Sequence, residues 1–265
     1  MACGYINTHV EPKRETGGRC LNLDIDNILK LSLKELGINF SKAQVSLVKE
    51  YLNLVYKHNK KFNLVGAKDK KGILIRHILD SISILKYEKY LFYNTNNVEK
   101  ILDVGTGAGL PGVLLSIFLS DKLFYLLDKT LKRINFLNLL VKELKLENIK
   151  VIRGRAEELA KENLYRENFD IVLARAVTSF NILSELIIPF CRINGKIIFY
   201  KSKKVFIELA EHREVISKLG GKVDNLLEVK VPYLDEYRTF LIINKAKKSP
   251  RIYPRNFKKI KKQPL

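Results

Sequence analysis

The sequence holds no tryptophan, one methionine and three cysteines. Cys3, Cys20 and Cys191 are odd in number, scattered, and lack metal-ligand spacing. That pattern excludes a disulfide frame and a zinc site and points to a reducing compartment. No apolar run reaches the roughly 18 residues that span a bilayer, so no membrane association is expected. The opening residues Met1 to Asn7 contain no apolar segment of the kind a secretory signal needs. Acid is also scarce. The formal net charge is +20, and from Lys245 to Leu265 there are nine Lys or Arg residues and no Asp or Glu. An excess of that size suggests a polyanionic partner, most simply nucleic acid, although a lysine-rich composition accounts for part of it. Tyr253 and Phe257 are interleaved among the basic residues of the tail. Cations neutralise phosphates and aromatic faces stack on bases. The tail therefore reads as a nucleic-acid-binding arm, as a solvated disordered segment, or as both.

Four segments follow from the pattern of the chain. Residues 1–20 are patternless and are expected to be a disordered leader. Residues 21–97 carry apolar residues at helical spacing: Ile25, Ile28, Leu29, Leu31 and Leu33, then Val45, Val48, Tyr51, Leu52, Leu54 and Val55, then a third helix from Ile73 to Leu85 and a short fourth. Asn94-Thr-Asn-Asn97 is a turn-rich boundary. Over residues 98–245 strands and helices alternate. Strands are expected at Lys100–Val104, Leu123–Asp128, Asn148–Arg153, Phe169–Ala174 and Lys196–Lys201. Helices are expected at Gly112–Leu119, Thr130–Leu144 (Thr130 as N-cap), Phe180–Phe190 and Lys204–Leu219. This is the pattern of a mostly parallel α/β sheet covered on both faces. The last two strands, Asn225–Val231 and Arg238–Asn244, are joined too tightly for a crossover helix and should pair antiparallel. Residues 246–265 form the basic tail.

The densest chemical signal is Asp103-Val-Gly105-Thr-Gly107-Ala-Gly109-Leu110-Pro-Gly112, which follows a short apolar run and opens an apolar helix. Glycines allow a tight turn and close ligand approach, and the amides of the following helix point at that ligand. The same letters also fit the dinucleotide pattern Gly-x-Gly-x-x-Gly. Asp103, two residues before the first glycine, would repel a pyrophosphate and suits a cationic ligand such as S-adenosylmethionine. Asp128, about 20 residues past the glycines, could accept both ribose hydroxyls under either reading. Gly154-Arg155-Ala156-Glu157-Glu158 follows the third strand. An acid and a backbone amide there could bind adenine, while acids also favour a helix first turn for structural reasons.

The fourth strand ends in Ala174-Arg175-Ala176, where a transferred group would be met. The Asn/Asp-Pro-Pro-aromatic motif of exocyclic-amine methylation is absent there. So is the Pro-Cys pair of cytosine carbon-5 methylation; Cys191 follows Phe190 and reads as a core residue. Arg175 can grip a donor carboxylate or the modified base, or serve in a structural ion pair. Lys201, at the end of the fifth strand, could contact RNA phosphate or stay solvated.

Four stretches together resemble the bacterial small-subunit ribosomal RNA methyltransferase G family, also called glucose-inhibited division protein B. They are Asn59-Lys-Lys-Phe-Asn63-Leu, Arg76-His77-Ile-Leu-Asp80-Ser81, Asp103 to Gly112, and Leu127-Asp128 with Lys132-Arg133-Ile-Asn-Phe-Leu137. The resemblance runs from about Leu33 to Lys245; Val65 stands where members usually carry Thr. It implies a class I S-adenosylmethionine-dependent methyltransferase (Rossmann-like) fold with a helical N-terminal extension. The implied reaction is methyl transfer to guanine N7 of 16S rRNA, presented naked or in the small ribosomal subunit, by a cytoplasmic, metal-free monomer. Gly105, Leu110, Ala156, Glu157 and Arg175 are carried over as donor contacts, beside Asp103, Gly107, Gly109 and Asp128 from the reading above. Arg76, His77, Lys201 and Arg255 are the expected RNA contacts. Arg175 is the expected catalytic positioning residue, with no general base required, because guanine N7 carries a lone pair and no proton. His77, with Asp80 on its helix face, is then a structural or RNA-orienting residue rather than a base.

Overall fold

The computed structural model describes residues 24–93, 99–175 and 179–265. The expected leader, the Asn94–Asn97 boundary and Ala176 lie outside the described residues.

Helix α1, Ile25–Glu35, starts where the Asp24 side chain accepts from the Asn27 N–H at 2.7 Å. Helix α2, Lys42–Phe62, starts with a reciprocal capping box between Ser41 and Gln44. It stops at Asn63, whose left-handed conformation (φ 47°) ends the helix. Both helices bury most of the apolar residues expected at helical spacing: Ile28, Leu29 and Leu33, and Val45, Val48, Tyr51, Leu52 and Val55, whereas Leu31 is exposed on the outer face of α1.

The expected third helix is irregular. It begins as α3, Lys70–Ile73, widens into a π-helical turn at Leu74–Leu79, returns to α4 at Asp80–Ile82 and tightens to a 3-10 turn at Ser83–Tyr87. A 3.6-residue period cannot foresee a π turn. Such turns recur at functional sites because the extra residue re-aims neighbouring side chains.

Seven strands follow: β1 Lys100–Val104, β2 Leu123–Asp128, β3 Ile149–Arg153, β4 Phe169–Arg175, β5 Cys191–Lys201, β6 Gly221–Val229 and β7 Arg238–Lys245. Between them lie α5 Gly112–Phe118, α6 Leu131–Glu143, α7 Ala156–Leu159, α8 Phe180–Ile187 and α9 Val205–Lys218; α10 Phe257–Lys262 closes the chain. The sheet order is β3-β2-β1-β4-β5-β7-β6. β1 to β5 run parallel, and β7 lies antiparallel to both β5 and β6, as the short link between the last two strands required. The fifth strand is longer than expected, because Cys191 to Gly195 extend it after a short 3-10 turn at Ile188–Phe190. β6 begins at Gly221, ahead of the expected start at Asn225. Thr130 occupies the N-cap position of α6, but its side chain makes no cap bond; its N–H donates to Asp128 Oδ1 instead.

The period-2 alternation of the strands sorts two cores, one per face. Ile101, Leu126, Ile198, Tyr200, Phe240 and Ile242 point to one side, where they share a continuous core with α1, α2, α5 and α6. Leu102, Val104, Leu127, Ile197, Phe199, Leu241 and Ile243 point to the other, against α8, α9 and the C-terminal segment. The N-terminal helices thus bury their stripes in the core of the sheet itself. Cys191 is among the buried residues, and burial pushes its thiol up to about 12. Among the described residues no helix is long and apolar enough to cross a membrane, and no cluster of His, Cys, Asp and Glu could hold a metal.

Candidate active site

The chain order changes direction between β1 and β4, and at such a switch point a doubly wound sheet opens a crevice at its carboxyl edge. Register aligns the relevant strand ends there: Val104 pairs with Leu127, Asp128 with Arg153, and Arg175 with Tyr200. A cavity of about 620 Å³ occupies this edge, a size typical of small-molecule sites.

The glycine loop forms its floor. Gly105, Gly107 and Gly109 all have positive φ, at 71°, 60° and 88°. The Gly105 and Thr106 amides donate to Leu127 O at 2.8 and 3.2 Å, tying the loop to β2. A Cβ on Gly107 would meet nothing nearer than 3.9 Å, so that backbone opens onto the cavity. Gly105, Gly107 and Leu110 line the cavity, whereas Gly109 does not. Gly109 faces the helix instead: a Cβ there would lie 2.4 Å from Val113 Cγ2. Its role is close packing of the turn on α5.

Asp103 also differs from the expected role. It is fully buried, does not line the cavity, and faces the N-terminal helical layer. Its Oδ2 accepts from Thr106 Oγ1 at 2.6 Å and from the Gly112 amide at 2.9 Å. A β-strand's alternation dictates this, because Asp103 shares the face of Ile101 rather than that of Val104. The carboxylate therefore holds the loop's two ends together from below instead of touching a ligand. Burial pushes its pKa up to about 6 against the pull of those two bonds, and Oδ1 has no hydrogen-bond partner among the described residues.

Asp128 lines the cavity at the end of β2. It accepts from the Gly107 amide at 3.2 Å, the Thr130 amide at 2.9 Å and Arg133 Nη1 at 3.1 Å. Three of about four acceptor positions on the carboxylate are thus occupied, one of them by the half-exposed Arg133. Ala156 and Glu157 line the adjoining wall, with Arg155 Nη1 at 3.2 Å from Glu157 Oε1.

Arg175 lines the cavity from β4, and the irregular third helix grips it. Its Nη2 lies 2.8 Å from Asp80 Oδ2 and donates to Arg76 O at 2.9 Å, and Nη1 donates to Ser81 Oγ at 3.1 Å. Asp80 in turn accepts from Arg238 Nε at 3.0 Å through its other oxygen. The π turn brings His77 to the same wall, with Nδ1 3.5 Å from Arg175 Nη2. Burial and the adjacent Arg175 cation lower the His77 pKa to about 4, so the ring is neutral near pH 7.

The expected RNA contacts separate. Arg76 is exposed and pairs loosely with Glu236 at 3.3 Å. Lys201 is mostly buried; its Nζ lies 2.8 Å from Glu208 Oε2 and 4.7 Å from the Phe180 ring centroid. Arg255 is held by Glu185, with Nη2 at 2.6 Å from Oε2. Contact of either Lys201 or Arg255 with phosphate would require breaking a desolvated ion pair, which is costly. Neither is a free surface cation, and the tail is not a solvated coil.

Three contributions went unseen in the sequence. Leu64, Val65 and Gly66 line the cavity. Asn59 shapes their loop, accepting from the Val65 amide at 2.9 Å and donating to Ala67 O at 2.8 Å; the Asn59-to-Leu64 motif was the available signal. Tyr51 reaches across from α2 to Ala108 O at 3.0 Å and pins the glycine loop. Phe257, in the tail, also borders the cavity.

These features suit one class of ligand. A glycine cradle, an acid at the end of β2 and apolar walls at Leu110, Leu183 and Leu186 suit a nucleoside, with Lys129, Arg133, Arg155 and Arg175 as the cations of the lining. With this strand order, they define a class I S-adenosylmethionine-dependent methyltransferase. Residues 44–236 match the family model described as GidB, rRNA small subunit methyltransferase G. A ribosomal RNA small subunit methyltransferase G of Clostridium tetani is 38% identical over 239 residues, covering 90% of this chain and 98% of its own. Its counterpart in Lachnoclostridium phytofermentans is 39% identical over 233 residues, covering 88% and 94%. A solved SAM-dependent methyltransferase from Aquifex aeolicus superposes with a TM-score of 0.48 at 17% identity, over 66% of this chain and 93% of that one. The chain belongs to the rRNA small subunit methyltransferase G family.

Proposed function

We propose that this chain transfers the methyl group of S-adenosylmethionine to N7 of a specific guanine in 16S ribosomal RNA. The observation that carries the reading is the family match over residues 44–236, whose motifs converge on a single cavity. S-adenosylmethionine, when bound, supplies an electrophilic methyl group. The glycine loop at Gly105, Gly107 and Leu110, with Asp128, Ala156 and Glu157, would hold it, and Arg175 would position donor and acceptor. Guanine N7 would accept that methyl group through an in-plane lone pair that carries no proton. No proton leaves, so the site needs no base. The chain's task is to hold the reactants in line at about 3–3.5 Å. Neutral His77 adds no charge beside the base as it becomes cationic. Arg175 is fixed by Asp80, Ser81 and Arg76 O, and so is pre-oriented for positioning. The net charge of +20 supports a polyanionic acceptor, bound with a steep salt dependence.

The test is transfer of labelled methyl from S-adenosylmethionine to small-subunit RNA, naked and in subunits, taken from a strain without its own N7 enzyme. The expected product is N7-methylguanosine. Donor binding without incorporation into either substrate would refute the RNA acceptor and favour a non-RNA one.

A further inference from the structure

The C-terminal segment beyond β7 is tied to the domain at three points. Arg166 donates to the carbonyls of Ser249 and Tyr253 at 2.8 Å each. Arg255 meets Glu185 of α8 through its side chain and its own amide. Glu185 is wholly buried, so without Arg255 it would be an unpaired interior charge. Ile260, on the inner side of α10, is fully buried in the core beneath the sheet.

Phe257 lies between these anchors. It is half-buried: it packs against the edge of the same core as Ile260 and also borders the cavity, whose lining includes Leu183 and Leu186. Lys129, the residue after Asp128, places its Nζ 5.8 Å from the ring centroid. Lys129 follows the last residue of β2, so the ring stands on the side of the cavity where β2 ends and Asp128 lines the wall.

We propose that Phe257 is a donor-binding residue, and that the anchored C-terminal segment supplies an aromatic wall for the purine of S-adenosylmethionine. The proposal rests on the methyl-donor reading above. A purine offers a large flat face, and an aromatic ring left partly open in an otherwise apolar wall is the side chain best suited to cover it. The buried anchors explain how a terminal segment holds such a contact in place: Arg255 and Ile260 fix the residues on either side of Phe257, so little order remains to be imposed on binding.

Deleting the segment would uncover the core that Tyr253 and Ile260 cover and leave Glu185 unpaired, so point variants of the full chain are the test. Donor affinity is measured by calorimetry with S-adenosylmethionine, and turnover with small-subunit RNA. Phe257→Ala is expected to weaken donor binding about tenfold and raise the donor KM in step. The RNA KM and the unliganded melting temperature should stay near wild type. Phe257→Tyr should restore donor affinity, and Lys258→Ala, on the exposed side of α10, should leave it unchanged. If Phe257→Ala does not fold, Phe257→Leu decides, since it keeps apolar bulk without the aromatic face; it too should bind the donor more weakly. Wild-type donor affinity in the folded Ala variant, or in the Leu variant where Ala fails, would overturn the proposal, as would failure of Phe257→Tyr to restore binding. A wild-type chain that binds no S-adenosylmethionine would overturn the methyl-donor reading instead.

Discussion

Asp80→Asn isolates charge from volume at the ion cluster behind the cavity. Asp80 is buried and is the shared counter-ion of Arg175 and Arg238, at 2.8 and 3.0 Å. The amide keeps the size of the carboxylate but removes its charge and turns an N–H against a guanidinium. Removing one partner of a buried pair costs about 3–5 kcal/mol. Three contacts soften the loss here. Arg238 keeps Glu236 at 2.9 Å, and Arg175 keeps Ser81 Oγ and Arg76 O. An expected cost of about 2–4 kcal/mol follows. For a chain of this size each kcal/mol lowers Tm by about 2–4 °C, so the melt should fall by about 4–16 °C. Circular dichroism melts and urea titrations measure this, the latter with an unchanged m-value. Adding Arg238→Met should recover part of the loss, because one of the two stranded cations is then gone. A melt within about 2 °C of wild type would refute the reasoning, and the cluster would then be too solvated to matter.

Arg175→Ala should cut methyl transfer on the order of 10²-fold, since displaced reactants lose proximity, with donor and RNA binding still measurable; unchanged turnover removes Arg175 from the site. Gly109→Ala forces a Cβ to within 2.4 Å of Val113 Cγ2 at a φ of 88°, so it should lower stability by about 1–3 kcal/mol and weaken donor binding through the displaced loop; a wild-type melt would count against it. His77 has its folded pKa lowered from 6.5 to about 4, so its contribution is present above pH 6.5 and lost as pH falls through that window. Asp103, raised from 3.8 to about 6, acts with opposite sign: its contribution is present below 3.8 and lost as pH rises through 6. The two partly cancel in the wild type. Urea unfolding between pH 4 and 7 should therefore fall more steeply with rising pH in His77→Gln, and rise more steeply in Asp103→Asn; slopes of the reverse order would contradict both assignments.

Much of the scaffold was legible because its causes are local. Period-2 and period-3.6 apolar patterns reflect which face of each element is buried, and the glycine run marks a turn that no residue with a Cβ makes easily. Boundaries slipped where a neighbour rather than the pattern decides, as at β5, where Cys191 pairs with Phe169 and lengthens the strand. The π turn at Leu74–Leu79 was illegible because its benefit is non-local: it presents His77, Asp80 and Ser81 to an arginine 94 to 98 positions away.

The sequence by itself determined the alternating α/β sheet, the antiparallel final hairpin, the glycine cradle at the first strand end and the resemblance that led to the family. Each depends on residues within a few positions of one another. Only the tertiary structure decided which face of β1 the cavity opens beside, so that Asp103 lies outside its lining, and that Lys201 and Arg255 are committed to ion pairs. It alone showed that Arg175 is gripped by Asp80, and that a basic tail folds back to line the cavity. Those outcomes turn on which distant charge or apolar face each side chain meets. Arg255 and Glu185 stand 70 residues apart, and composition along the chain carries no record of that meeting.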